Sequence, residues 1–141
     1  MQSKSMTKKA KNLSNIYILG NPLLKEDSLP LKLLPELKKS FKNINFIELD
    51  PTENLPEEKE LILIDTIINT DKVKILTDIE KIQSSPQCSL HDFDLGFQLK
   101  LMKKLKKIDK PVIIGVPSKE NQDKILKELK NIIPNLLSKN D

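Results

Sequence analysis

The amino-acid sequence predicts an α/β domain, a three-layer α/β/α sandwich built on a mixed five-stranded sheet with one antiparallel strand. Three observations lead to this prediction. Short apolar runs alternate with segments whose apolar residues recur at helical spacing. One run, residues 61–64, is wholly apolar, as expected for a strand covered on both faces. The length of 141 residues suits one domain with a real core better than two.

The first half of the chain predicts three strands and one helix. Apolar runs place the strands at residues 16–19, 44–49 and 61–64. Leucines at helical spacing predict a helix over about residues 29–39. Pro30 fits the first turn of this helix, whereas Pro35 lies inside the pattern and should kink the helix or mark a second start.

The fourth strand, residues 73–76, decides the topology. Only the seven residues 66–72 separate it from the third strand. A parallel crossover needs about a dozen residues or more. We therefore expect this strand to run antiparallel, as a hairpin partner of the third strand.

The rest of the chain predicts a loop, a helix, a fifth strand and a last helix. The loop contains Pro86, and the helix that follows it is expected over about residues 92–107. The fifth strand is expected at 112–116. Ser118 is the predicted N-cap of the last helix, whose apolar stripe runs over residues 125–133. Helices should therefore cover both faces of the sheet.

Composition argues against nucleic acid as a partner. The net charge is +4, all positive charge is lysine, and four lysines lie within the first fourteen residues. The remaining lysines equal the acids in number, so the folded body has no excess of basic charge. Aromatic residues make up only 4% and tryptophan is absent, which leaves few platforms for stacking bases.

The same composition predicts a cytoplasmic protein without a membrane partner, which we expect to be a monomer. No apolar stretch of signal-peptide length follows the basic start, and no run approaches the about 18 apolar residues of a membrane span. The single cysteine, Cys88, excludes an internal disulfide and a cysteine-cluster zinc site. We expect a disordered basic tail at 1–14, one domain at 15–134 and a C-terminal tail at 135–141.

Three polar residues form a candidate metal site. Asp27 and Asp65 each follow an apolar, strand-like run, and His91, the only histidine, opens an amphipathic helix. Open α/β sheets gather binding groups at the carboxyl ends of their strands. Two carboxylates and one imidazole there would suit a divalent transition metal, and the start of a helix favours a neutral imidazole. For His91 to reach this edge, residues 77–90 must carry the chain back across the sheet.

Each of these residues also has a purely structural interpretation. Asp27 could cap the following helix, Asp65 could end its strand, and a lone histidine is more often structural than a ligand. Ser89 and Asp92 form a pattern typical of a capping box. Cys88 is interpreted more simply as a small buried or loop thiol than as half of a Cys–His dyad. A phosphate-binding glycine loop and a serine nucleophile elbow are both absent from the sequence.

Two segments resemble the nickel–iron hydrogenase maturation proteases, in particular the archaeal type. Residues 20–27, Gly-Asn-Pro-Leu-Leu-Lys-Glu-Asp, resemble the family signature Gly-Asn-x-Leu-x-x-Asp-(Asp/Glu). Residues 89–95, Ser-Leu-His-Asp-Phe-Asp-Leu, are the most specific match. The resemblance covers about residues 15–117 in the same order of elements. It implies nickel binding by Asp27, Asp65 and His91.

The match is incomplete in three places. A box associated with substrate recognition follows the second strand in the family, and only Asp50 and Thr52 carry it here. The small residues expected after Asp27 and the glycines expected after the third strand are replaced by other residues. The resemblance thus implies substrate-binding roles for Asn21, Asp50 and Thr52 only.

The resemblance implies an endopeptidase that removes the C-terminal extension of a hydrogenase large-subunit precursor after nickel insertion. The precursor would supply the nickel, so the isolated protein need not contain any. Asp27 and Asp65 would be catalytic, and hydrolysis could use a nickel-polarised water or carbonyl, or a carboxylate as general base. Two other functions stay open: a non-catalytic, metal-sensing adaptor, and a plain α/β binding module whose three polar residues are only caps.

Overall fold

The structure, a computed structural model, describes residues 14–20, 28–50 and 54–138, without the side chains of Leu90 and His91. Almost all of the predicted basic tail lies outside these ranges. The elements within them, in chain order, are β1 (Ser14–Leu19), α1 (Leu29–Ser40), β2 (Ile44–Leu49), β3 (Ile62–Ile67), β4 (Lys74–Leu76), α2 (Ile79–Ser84), α3 (Leu90–Lys104), β5 (Val112–Pro117) and α4 (Gln122–Ser138). All five predicted strands are present.

The strands form one mixed sheet in the order β2-β1-β3-β5-β4. Neighbouring strands are parallel except for β4, which runs antiparallel to β5. Strand β3 lies at the centre and every one of its residues is buried. The predicted fold class, a mixed five-stranded sheet with one antiparallel strand, is therefore confirmed.

The neighbour of β4 differs from the prediction. Strand β4 pairs with β5, Ile75 opposite Ile114, and is not a hairpin partner of β3. Both edges of β3 are already occupied by the parallel strands β1 and β5. The chain before β4 is instead held by α4, because the backbone N–H of Val73 donates to Glu128 Oε1 at 2.9 Å. The predicted direction is correct and the predicted partner is wrong.

Two apolar clusters make the three layers. Ile62 and Ile64 of β3 pack on the face covered by α1 and α4, whereas Leu63 packs on the face covered by α2 and α3. Alternation along a strand then places Asp65 on the α2/α3 face. This face is the one that matters for the candidate site.

Helix α1 is continuous through Pro35, so the predicted second start at this proline is wrong. Pro35 points to the exposed side of the helix, where water can solvate the carbonyl group that a proline leaves without its N–H donor. Pro30 lies in the first turn, as predicted.

The later helices begin at other residues than expected. A short helix, α2, lies in the predicted loop and is capped by Asp78, whose side chain accepts from the backbone of Glu80. Helix α3 starts at Leu90 behind the capping box of Ser89 and Asp92, which is confirmed. It ends at Lys104, and Lys106 just beyond adopts a positive φ of 62°.

The cap of α4 is Asn121 and not Ser118. Asn121 Oδ1 accepts from the backbone N–H groups of Asp123 at 2.8 Å and Lys124 at 3.2 Å. Residues 118–120 form a bend that separates β5 from the helix. Helix α4 continues to Ser138, beyond the domain boundary expected at residue 134. Across the described ranges, every helix is too short or too polar to cross a membrane.

Replacing the cap should weaken the fold by a measurable amount. We expect Asn121→Ala to lower the free energy of unfolding by about 1 kcal/mol, because two backbone N–H groups lose their acceptor. Urea unfolding monitored by circular dichroism measures this loss. Ser118→Ala is the matched control and should be close to neutral. The assignment is contradicted if Ser118→Ala destabilises more than Asn121→Ala.

Candidate functional site

Asp65 is a buried carboxylate within the central strand. It is the fourth residue of β3 and is 1% exposed. The sequence places Asp65 after the end of its strand, whereas β3 continues to Ile67, because Thr66 and Ile67 pair with β5. Asp65 Oδ1 accepts the backbone N–H of Thr66 at 2.9 Å. The side chain therefore lies near the carboxyl edge of the sheet, inside the protein.

Gly115 of β5 is the residue paired with Asp65 on the neighbouring strand β3. A Cβ atom at this position would lie 2.7 Å from Ile67 Cδ1 and 3.0 Å from Ile67 Cγ2. Since Ile67 is only 2% exposed, it has little room to move away. A glycine here lets Ile67 pack across β5, next to Asp65.

The start of α3 lies at the same edge as Asp65. The backbone N–H of Ile68 donates to the carbonyl oxygen of Gln87 at 3.2 Å, and Asn69 Nδ2 donates to the carbonyl oxygen of Pro86 at 2.8 Å. The chain just before α3 thus runs beside the chain just after β3. This is the return across the sheet that the sequence argument requires, and it places the backbone of His91, the second residue of α3, at this edge.

A small cavity joins β3 to the start of α3. Its polar lining comes from Asp65, Ser85, Gln87, Cys88 and Asp92, and the rest of the lining is apolar. The free volume of about 10 Å³ is close to that of one water molecule. Two of these lining residues, Asp65 and Asp92, are acids, and none of the described lining residues is basic.

Asp92 takes part in this cavity, which the sequence argument missed. Its Oδ2 accepts the backbone N–H of Ser89 at 3.2 Å, as a capping box requires. The side chain is 4% exposed, and its Oδ1 has no hydrogen-bond partner in the part of the chain that the structure describes. Asp92 thus caps the helix and also lines the cavity. The sequence signal for the cavity position was that Asp92 directly follows His91, and the capping pattern explains this equally well.

The environment of Cys88 keeps its thiol protonated. Burial raises the pKa of Cys88 above its usual value, and the negative charges of Asp92 and Asp65 raise it further. The Cys88 Sγ lies 3.3 Å from the carbonyl oxygen of Ser89, which it can reach as a donor. A raised pKa disfavours the thiolate that nucleophilic chemistry needs. This supports the simpler interpretation of Cys88 as a packed thiol.

The other predicted site residues are described only in part. Asn21, Asp27 and Thr52 lie outside the described residues, and of His91 only the backbone is described. Asp50 follows β2 and is exposed at the carboxyl edge, with β1 between β2 and β3. Within the described ranges, no three His, Cys, Asp or Glu side chains are placed to hold a metal ion. The triad of Asp27, Asp65 and His91 therefore stays a prediction.

A wider cleft of about 680 Å³ opens at the same edge, on the α1/α4 face. It lies between the start of α1, at Ser28 and Lys32, and the bend after β5, at Ser118 and Asn121. Both segments follow parallel strands, so the cleft and the Asp65 cavity share one edge of the sheet. The cleft is open and partly polar, with enough room for a short peptide segment.

These features define an open α/β domain with a buried carboxylate and a helix start at the carboxyl edge of its central strand. Solved structures with a similar fold include the hydrogenase maturating endopeptidase HybD from E. coli, with a TM-score of 0.63, 13% identity, and coverage of 91% of this chain and 94% of that one. The solution structure of an endopeptidase from Escherichia coli has a TM-score of 0.59 and 17% identity, covering 88% and 90% of the two chains.

An uncharacterized protein from Wolinella succinogenes is also similar, with a TM-score of 0.50, 6% identity, and coverage of 90% of this chain and 95% of that one. At these identities the likeness establishes a shared fold. No family model matches the chain. No curated protein matches it in sequence.

Proposed function

We propose that this protein is an endopeptidase of nickel–iron hydrogenase maturation, which removes the C-terminal extension of the large-subunit precursor after nickel insertion. The observation that carries the proposal is the buried carboxylate of Asp65 at the carboxyl edge, beside the start of the helix that contains His91. The fold shared with endopeptidases and the signature at residues 20–27 support it.

In this proposal the nickel is part of the substrate. Asp27, Asp65 and His91 contact the nickel that the precursor carries, since carboxylate and imidazole donors suit this ion. The precursor therefore binds only when it carries the metal. Binding also holds the scissile bond in position, and this proximity lowers the activation barrier of hydrolysis. A carboxylate of Asp27 or Asp65 acts as general base on the attacking water. Asn21, Asp50 and Thr52 hold the precursor.

The electrostatics of the cavity support a cationic substrate. Asp65 and Asp92 are both more than nine-tenths buried. The negative charge of each raises the pKa of Cys88. Two buried carboxylates around one cavity repel each other unless a cation or a proton offsets their charge. A divalent ion brought by the precursor would relieve this repulsion, so the site has a reason to prefer the metal-loaded form.

Three further statements belong to the proposal. The protein is cytoplasmic, it acts as a monomer, and it belongs to the archaeal type of this protease family. The segment at 89–95 supports the family in general.

One assay tests the proposal against its alternatives. The protein is mixed with nickel-loaded and nickel-free precursor, cleavage is followed by mass spectrometry, and complexes are followed by size-exclusion chromatography. We expect cleavage of the loaded precursor only, and its loss in Asp27→Ala. Glu36→Ala, an exposed acid on α1, is the control and should cleave normally.

The other outcomes assign the other functions. Metal-dependent binding without cleavage indicates an adaptor. Equal behaviour towards loaded and nickel-free precursor, without cleavage, leaves a plain binding module and overturns the proposal.

A further inference from the structure

Helix α3 carries an exposed apolar ridge, which we call the α3 stripe. It consists of Phe93, Phe97 and Leu101 of the helix and of Leu105 at its C-cap, which are 40%, 58%, 58% and 56% exposed. The other large apolar side chains that are exposed in the described ranges, Ile47 and Ile75, lie singly on the two edge strands of the sheet. The stripe is thus the main concentration of exposed apolar surface in the described structure.

Folding does not require the stripe. The opposite side of α3 supplies the contacts with the sheet, through Leu95 and Leu99, which are 4% and 0% exposed. Phe93 and Phe97 already stack edge to face, with ring centroids 5.3 Å apart. Four-residue spacing makes a ridge that fits the groove of another helix. Preformed aromatic pairs of this kind are typical of the centres of protein interfaces.

The surroundings of the stripe are basic. Residues 95–108 contain five lysines and no acid. Lys100 pairs with Glu80 at 2.9 Å and lies 6.0 Å from the ring centroid of Phe97. Lys103 and Lys104 have no ion-pair partner within the described ranges. A matching surface therefore has Asp or Glu side chains around an apolar groove.

The size and charge of the stripe argue against a second copy of this chain. Four half-exposed side chains offer on the order of 400 Å² of apolar surface. A stable interface buries about 800 Å² on each partner. Pairing two stripes would also bring two lysine-rich surfaces together. The partner must therefore contact more than the stripe, along surface continuous with it.

The continuous surface at the start of the helix is the candidate site. Phe93 follows His91 by two residues, and α3 begins beside the end of β3. The 15-residue helix is about 22 Å long, so a protein resting on the stripe also reaches the edge that carries Asp65.

We infer that the α3 stripe is the docking surface for the precursor protein, which binds it through an apolar groove bordered by acidic side chains while its C-terminal extension enters the site. This inference rests on the proposed function for the identity of the partner. It adds a second contact region, next to the candidate site but without a part in the chemistry, that sets affinity.

The test measures precursor binding and cleavage separately. The variants are the double substitution Phe97→Ser with Leu101→Ser, and the charge reversal Lys103→Glu with Lys104→Glu. Ile47→Ser, on the edge strand β2, is the matched control. We expect both double variants to bind nickel-loaded precursor at least tenfold more weakly by calorimetry, to raise KM with kcat unchanged, and to keep the wild-type melting temperature. The charge reversal should lose its effect at high salt.

The outcomes separate this inference from the proposed function. Stripe-dependent binding of the precursor without cleavage refutes the protease and supports the stripe. Cleavage with wild-type KM in both variants supports the protease and refutes the stripe. A wild-type protein that does not bind the precursor at all refutes both. A stripe-dependent dimer in light scattering, or stripe-dependent binding to phosphatidylglycerol vesicles in place of the precursor, also overturns the inference.

Discussion

The Asp65→Asn variant is expected to cleave nickel-loaded precursor at least about a hundredfold more slowly than the wild type. The amide removes the negative charge that would face the nickel and the basic oxygen that would accept a proton, and such losses cost about 10²- to 10⁴-fold in rate. It keeps the shape of the side chain and an oxygen for the backbone N–H of Thr66. Single-turnover cleavage with excess enzyme measures the effect.

Two controls make this result specific. Thermal unfolding should show a folded Asp65→Asn protein, because the amide has nearly the same shape and its oxygen can still accept from the backbone N–H of Thr66. Asp94→Asn, an exposed acid on the same helix as His91, should cleave at the wild-type rate. Wild-type cleavage by Asp65→Asn would remove Asp65 from the mechanism.

The second large effect concerns the core. We expect Ile64→Ala to lower the free energy of unfolding by about 2–5 kcal/mol, the range found when a large apolar side chain is cut back in a packed core. Ile64 is fully buried in the central strand, and its cluster includes residues from α1 and α4. Since domains are stable by about 5–15 kcal/mol, the variant should be close to unfolding. Urea denaturation gives the value.

Ile75→Ala is the matched control. Ile75 is 38% exposed on the three-residue edge strand β4, so its truncation should cost less than about 1 kcal/mol. If Ile75→Ala destabilises as much as Ile64→Ala, the order of the strands in the sheet needs revision.

Local sequence patterns predict most of the elements but not all of their neighbours. The apolar runs at 44–49 and 61–64 lead to strands, because burial on a sheet needs such runs. The seven residues before β4 exclude a parallel crossover from β3, but they cannot show that β5 lies between β3 and β4. Strand neighbours depend on contacts between distant residues, which periodicity does not contain.

Two errors have a different cause. Helix α2 has only six residues, with Ile79 and Ile82 as its buried positions, so its periodic signal is too short to separate from a loop. Ser118 and Asn121 are both good helix caps by residue type. The bend at residues 118–120 decides between them, because it delays the start of α4 to Gln122.

The position of the candidate site was partly predictable, because it also follows from local sequence patterns. The carboxyl-edge rule placed Asp65 near the carboxyl edge of the sheet, where the structure also has it, and the capping pattern led to the start of α3. The role of Asp65 in metal binding stays a prediction. The second role of Asp92 was not accessible, because a capping pattern does not show which atoms the remaining carboxylate oxygen faces. That information comes from the turn at residues 85–88, whose bonds to the end of β3 set the position of the whole segment.

The insertion of β5 between two earlier strands has a consequence for biosynthesis. During translation β3 and β4 leave the ribosome well before residues 112–117, which pair with both. Until then β3 has an open edge, and the side of Asp65 that faces Gly115 is open to water. The nascent polypeptide should therefore be unable to act on any substrate until β5 has closed over this edge, and slow closure is expected because distant segments must meet.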